Sequence, residues 1–243
     1  MTNTFTLSYG GESIPYDVTP DPNRTSRVAI HVNPDGSVSV DAPPNHPEGN
    51  IRQAVQKRAR WIANHVADAR QRYAHVRPRE YVSGEQVLYL GRRYVLKVKR
   101  VDGAPGPGRL KGNRLEVETR TGDPQDIQGR ARGWYRVKAR DYFARRLVDF
   151  SKRLQWVDDV PEFRLLVMSR QWGSCSAQGQ VILNPHLVKA PRHCIDYVLI
   201  HELAHLKHHN HGSQFWDLIH THVPEWRKAK HHLDGLVEVL LVD

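Results

Sequence analysis

The stretch that most restricts what this chain can fold into is His201-Glu202-Leu203-Ala204-His205, with His211 six residues further on. Two histidines four apart share one face of an α-helix, about 6 Å apart along its axis. Their imidazoles can grip one ion from the same side, and Zn²⁺ takes nitrogen ligands at about 2.0–2.1 Å. Glu202 follows the first histidine roughly 100° around the helix, where its carboxylate can reach a metal-activated water as general base. With 15 histidines and 10 glutamates among 243 residues, composition alone gives about 0.04 such matches. The competing reading is a solvated, histidine-rich helix, since His208, His209 and His220 crowd the same region.

A third ligand has two contenders. His208 lies on the face of His201 and His205, but a continuing helix would carry it about 10.5 Å beyond His201, too far for one ion. His211 reaches back only if the helix stops. Asn210 tolerates the left-handed conformation that ends helices, and Gly212 adds freedom, so the spacing favours His211. Three histidines leave a coordination position open, as catalytic zinc sites do. Cys194 falls two helical turns before His201 and cannot complete the site. Zinc, one ion per chain, is the expected cofactor, with nickel, cobalt or manganese able to replace it.

Composition narrows the class. A chain of this length can bury a substantial core. No apolar run approaches the 18 residues of a transmembrane helix, the N-terminus lacks the pattern of a signal peptide, and two cysteines make no disulfide framework. The expected location is therefore cytoplasmic, away from membranes. The net charge of +10 implies attraction to anions such as nucleic acid or nucleotides, or simply a solvated basic face.

Along the chain, Phe5-Thr6-Leu7, Val28–Val32 and Ser37–Val40 alternate like strands, with Asn33-Pro34-Asp35-Gly36 as a turn. Ile51 to Tyr73 reads as one helix, with Ile51, Val55, Ala59, Ile62, Val66 and Ala69 on one face and Trp61 packed beside them. Strands follow at Val87–Leu90, Tyr94–Val98 and Arg114–Glu118, with Gly91-Arg92-Arg93 as the turn between the first two. A long helix starts near Asp123 or Asp126 and ends near Leu154. It carries an Arg132, Arg136, Arg140 stripe and apolar contacts from Trp134, Val137, Tyr142 and Leu147. Phe163–Met168 and Gln180–Leu183 are further strands. Pro191 stands in the first turn of the metal helix, Phe215, Trp216 and Ile219 mark the next helix, and Pro224 opens the last. No internal repeat is visible in the residues. The expected fold is α+β. Residues 1–118 form a β-rich N-terminal region with one helix, and 119–243 a helical, metal-binding region.

These residues resemble the YgjP-like metallopeptidase family, relatives of SprT-like and other zincin proteins. The likeness rests on Trp172-Gly173-Ser174-Cys175-Ser176, Leu183-Asn184, Asp196 through Leu206, and Asn210-His211-Gly212 through Phe215-Trp216. Weaker similarity extends back to Lys57 and Trp61-Ile62. Gln171, between Arg170 and Trp172, departs from the family pattern. The resemblance implies a zincin-like C-terminal region, His201, His205 and His211 as metal ligands, and Glu202 as catalytic acid/base. It also places the Trp172–Leu183 region beside the metal helix. Arg170 and Trp172 are candidate substrate contacts, Trp172 being either a core anchor or a substrate wall. Asp196, Asp217 and Glu225 are candidates to orient the ligand histidines, and Tyr197 or Arg170 to meet an oxyanion.

Three functions compete. The first is a zinc-dependent hydrolase of metallopeptidase type, acting on peptides. The second is a nucleoside triphosphate pyrophosphatase acting on UTP-like substrates at the same site, an activity also described for members of the resembled family. The third is a nucleic-acid-binding protein with a structural metal, drawing weak affinity from the basic surface. Only three confident ligands are available, and a structural site would normally be closed by four.

Overall fold

The computed structural model describes residues 3–22, 24–33, 36–74, 79–168, 171–176 and 178–241. Two compact units divide it, Met1–Arg77 and Pro78–Asp243. The boundary at 118 expected from the sequence lies inside the second unit. There the strand just before that point packs on the long helix just after it, so one core spans both sides.

In the first unit, β1 (Asn3–Tyr9) and β2 (Glu12–Pro20) form one hairpin, and β3 (Ala29–Val32) and β4 (Val38–Ala42) another. The sheet order is β1-β2-β4-β3, so the hairpins meet through a parallel β2–β4 pair. Alternation in β2 sends Ile14, Tyr16 and Val18 inward, a strand the residue pattern did not single out. The expected turn between β3 and β4 includes Pro34 and Asp35, which lie outside the described residues. Helices α1 (Glu48–Lys57) and α2 (Ala59–Ala74) replace the single helix expected there. The break falls at Arg58 (φ −107°, ψ 10°), where no Pro or Gly marks it. All six residues of the expected apolar face are nonetheless buried, whereas Trp61 is 38% exposed and lies against the ring of His65.

The second unit opens on β5 (Gln86–Tyr89), β6 (Arg92–Arg100), β7 (Arg109–Lys111) and β8 (Arg114–Thr119). Its order is β5-β6-β8-β7, again two hairpins joined by a parallel pair. The two units therefore repeat one strand arrangement that their residues do not announce. The β5–β6 turn is Leu90-Gly91, one residue earlier than expected, and both residues have positive φ, the twist that suits a two-residue hairpin.

Helix α3 (Pro124–Ser151) starts where Asp123 accepts a hydrogen bond from the Gln125 N–H, with Pro124 supplying a preset φ. Trp134, Tyr142, Phe143 and Leu147 face the core, while Val137 is 57% exposed and makes no part of it. Strands β9 (Phe163–Leu165), β10 (Gly173–Cys175) and β11 (Val181–Leu183) form a small sheet ordered β10-β11-β9. A 3-10 turn at Pro185–Lys189 leads to α4 (Arg192–Ala204), α5 (Ser213–His222), α6 (Trp226–Asp234) and α7 (Val237–Leu241). The fold is α+β, with several small sheets and helices. No helix among the described residues is long and apolar enough to cross a membrane.

Candidate metal centre

Helix α4 is buried almost all round. Ile195, Leu199 and Leu203 are fully enclosed, so the helix is held from several sides. At its start, Leu90 and Gly91 donate N–H bonds to the carbonyls of Val188 and Lys189, and Gly91 lies directly against Pro191. Midway, Arg146 on α3 makes a bidentate pair with Asp196, at 2.8 and 2.9 Å. At its end, the Trp156 indole N–H donates to the Leu203 carbonyl at 3.0 Å, which also accepts from the Leu206 N–H. Asp196 is thus committed to α3 and not to a histidine. Glu225 pairs with Lys228.

The helix stops directly after Ala204, in tight turns from Leu206 and Lys207 back to Leu203 and Ala204. This is earlier than the left-handed Asn210 anticipated, and Asn210 has no positive φ. The early stop lets the chain double back, so that His201, His205 and His211 bring one ring nitrogen each to within 4.8 Å of one another. His201 Nε2 and His211 Nε2 face each other at 3.1 Å. Tetrahedral zinc with bonds of about 2.05 Å holds nitrogens roughly 3.3 Å apart, a spacing the His201–His211 pair already has, with the His205 donor nearby. His205 Nδ1 lies 3.2 Å from the His208 carbonyl, which can only accept. Nδ1 therefore carries the proton, and the Nε2 lone pair is left for an ion. His208 contributes its backbone here and not its ring.

Phe215 on α5, fully buried, is the floor of the cluster. Its ring lies 4.7–4.9 Å from those of all three histidines. Trp216 stacks on His211 and on Trp226, which in turn stacks on Tyr197. The cleft above, about 380 Å³, is bordered by Trp172, Gly173, Cys175, Tyr197 and Lys230 together with the histidines and Glu202. Trp172 is half-buried and borders this cleft. Arg170 lies outside the described residues.

Glu202 is 5% exposed, and burial pushes its carboxyl up to about 8. Its side chain lies over Gly173 on β10, so closely that a β-carbon there would stand 2.7 Å from both Cγ and Oε1. The strand is steered to this place by Asn184, fully buried, whose side-chain amide donates to the carbonyls of Met168 and Gln171 and whose N–H donates to that of Trp172. Gly173, Asn184 and Phe215 had no role assigned from the residues alone. A glycine inside a strand is itself a signal of close approach.

Desolvation also lowers the histidines, His201 to about 3 and His205 and His211 below their ordinary value. Burial holds the Tyr197 phenol at about 12 and the Cys175 thiol at about 11, so both stay protonated at neutral pH. For the metal-free protein this has a definite consequence. Near pH 6.5 the three histidines are neutral in the folded chain but still partly protonated in the unfolded one, a contribution to stability that rises with pH up to about 7.5 and is common to wild type and Glu202→Gln. Unfolded Glu has already lost its proton near 4.5, while folded Glu202 keeps it to about 8. Glu202 holds an extra proton in the folded state, so its own contribution to stability falls as pH rises toward 8, by at most about 1.4 kcal/mol per unit. Denaturant midpoints of the chelated wild type, taken relative to those of Glu202→Gln, should therefore fall between pH 6.5 and 8. An equal slope in the variant would refute the assignment.

A histidine cluster with an adjacent buried carboxylate, on a helix of an α+β domain, is the arrangement of the metal-dependent hydrolases. The family profile described as YgjP-like, metallopeptidase domain, matches residues 26–235, and the chain belongs to that family. It is also similar to a solved structure, the metallopeptidase zymogen of Pyrococcus abyssi abylysin. That likeness shows 28% identity over 39% of this chain and 91% of the other, with a TM-score of 0.34. A search of curated proteins finds no match.

Proposed function

We propose that the chain is a zinc-dependent peptidase in which His201, His205 and His211 hold one ion and Glu202 moves the protons. The observation that carries this reading is the juxtaposition of the three converging imidazoles with a buried carboxylate and with β10. That strand lies at the edge of its sheet, and edge strands present the N–H and C=O rows to which an extended peptide adds. Zinc, when bound, supplies a lowered water pKa and polarisation of the scissile carbonyl. Glu202 accepts a proton from the attacking water and passes it to the leaving amine, and a cation held by the neighbouring histidines would favour the ionised carboxylate this requires. Tyr197, still a phenol at neutral pH, is positioned on the cleft wall to donate to a developing oxyanion. Trp172 on the cleft wall offers apolar surface to a substrate side chain. The C-terminal half of the second unit is the zincin-like region on this reading.

The test is a peptide library incubated with the full chain, with and without a chelator, and after zinc is restored. New peptide amines should appear, vanish on chelation and return with zinc. Release of pyrophosphate from nucleoside triphosphates without peptide cleavage would overturn the peptide assignment in favour of nucleotide chemistry at the same residues.

A further inference from the structure

A second cluster of soft and borderline donors lies at the opposite end of α4. His193 and Cys194 stand in the first turn of that helix, and His232 comes from α6. His193 Nε2 is 3.1 Å from His232 Nδ1 and 3.4 Å from Cys194 Sγ, and one donor atom of each residue lies within 4.8 Å of the others. Cys194 is fully buried, while both imidazoles are exposed. The sulfur therefore closes the inner side and solvent reaches the outer side. A tetrahedral ion with metal–sulfur bonds of about 2.3 Å and metal–nitrogen bonds of about 2.05 Å separates nitrogen from nitrogen by roughly 3.3 Å and nitrogen from sulfur by roughly 3.6 Å. The observed spacings are already close to these.

We infer that His193, Cys194 and His232 form a second metal site, selective for thiophilic divalent ions of the zinc and cobalt type. Thiolate and imidazole donors favour such ions over magnesium or calcium. On binding, the Cys194 thiol proton leaves to solvent, the sulfur and two ring nitrogens each give a lone pair, and no oxidant or reductant is required. The site is separate from the histidine triad, because Cys194 precedes His201 by seven residues, about 10.5 Å along the helix. An ion here would tie α4 to α6. That helix carries Trp226 of the aromatic stack and Lys230 at the cleft, so occupancy would fasten one wall of the cleft to the helix that bears Glu202.

Cobalt(II) added to the reduced, metal-free full chain separates the two sites, because only a thiolate ligand gives sulfur-to-cobalt charge-transfer absorption in the near ultraviolet. Wild type should take up two equivalents and show that band. Cys194→Ser and His232→Ala should each lose one equivalent and the band. His232 is exposed, so its loss tests the site without disturbing the core. Cys175→Ser should keep both equivalents and the band, and His205→Ala should keep the band even if the triad site no longer binds. Uptake of a single equivalent without the band, or a band that survives Cys194→Ser, would overturn the proposal. Failure of the triad alone would leave it intact.

Discussion

Replacing Glu202 by Gln is expected to lower peptide turnover by about 10³-fold, within the range for a lost general acid–base, while bound zinc stays at the wild-type level. Gln has nearly the same shape and presents a neutral amide to the pocket. Burial already favours the uncharged carboxyl in the metal-free protein, so the exchange asks little of the fold. The three imidazoles are untouched, and metal content should not change. Turnover measured beside metal analysis on the same preparation separates chemistry from binding. A variant that still cleaves peptides would remove Glu202 from the mechanism, and one that lost its metal would make the carboxyl a ligand or a packing group instead.

Gly173→Ala should cost at least 10²-fold in kcat, although the added methyl never touches the metal. Its carbon would fall 2.7 Å from Glu202 Cγ and Oε1. The Glu202 side chain is flexible from Cγ outward while the strand is paired to β11, so the carboxylate shifts and the strand stays. A displacement of about 1 Å in a reacting group is worth this much in rate. Metal content and the thermal midpoint should be little changed, because β10 is an edge strand and the position is half-buried. Wild-type kcat in Gly173→Ala would mean that the carboxylate position is not critical to the reaction.

The parts of the site that the residues disclosed are those set by local spacing. His201, Glu202 and His205 are related by helix geometry, and His211 by the need for the chain to turn back. What remained hidden depends on pairing across distance. Arg146 meets Asp196 fifty residues away, Phe215 reaches under the histidines from another helix, and Gly173 matters only because β10 lies against α4. The same holds for the sheets. Hairpin β5–β6 is local and legible, but strand β7 falls where the residues read as a Gly/Pro-rich loop, and the parallel β6–β8 contact follows from no short-range pattern. The helix expected over 51–73 keeps its apolar face yet breaks at Arg58, since burial fixes the face and not the continuity of the axis. Asp196 and Glu225 are plausible partners of the histidines by sequence, but Arg146 and Lys228 engage them instead.

Two sheets of one strand order on one chain create a problem of self-recognition during folding, since a hairpin from one could seat on the inner strand of the other. The charges at the parallel seams oppose this. In the second sheet Glu116, 6% exposed, is opposite Lys97 and bonded to Lys99 and Arg109. At the matching register of the first sheet the buried residue is Ser39, opposite Asp17. Seating β2 on β8 would bring Asp17 against Glu116 and leave that carboxylate without Lys99, and like charges directly opposite destabilise a pair. The buried glutamate thus marks β8 as a seat for its own hairpin and makes the β2–β8 mispairing costly.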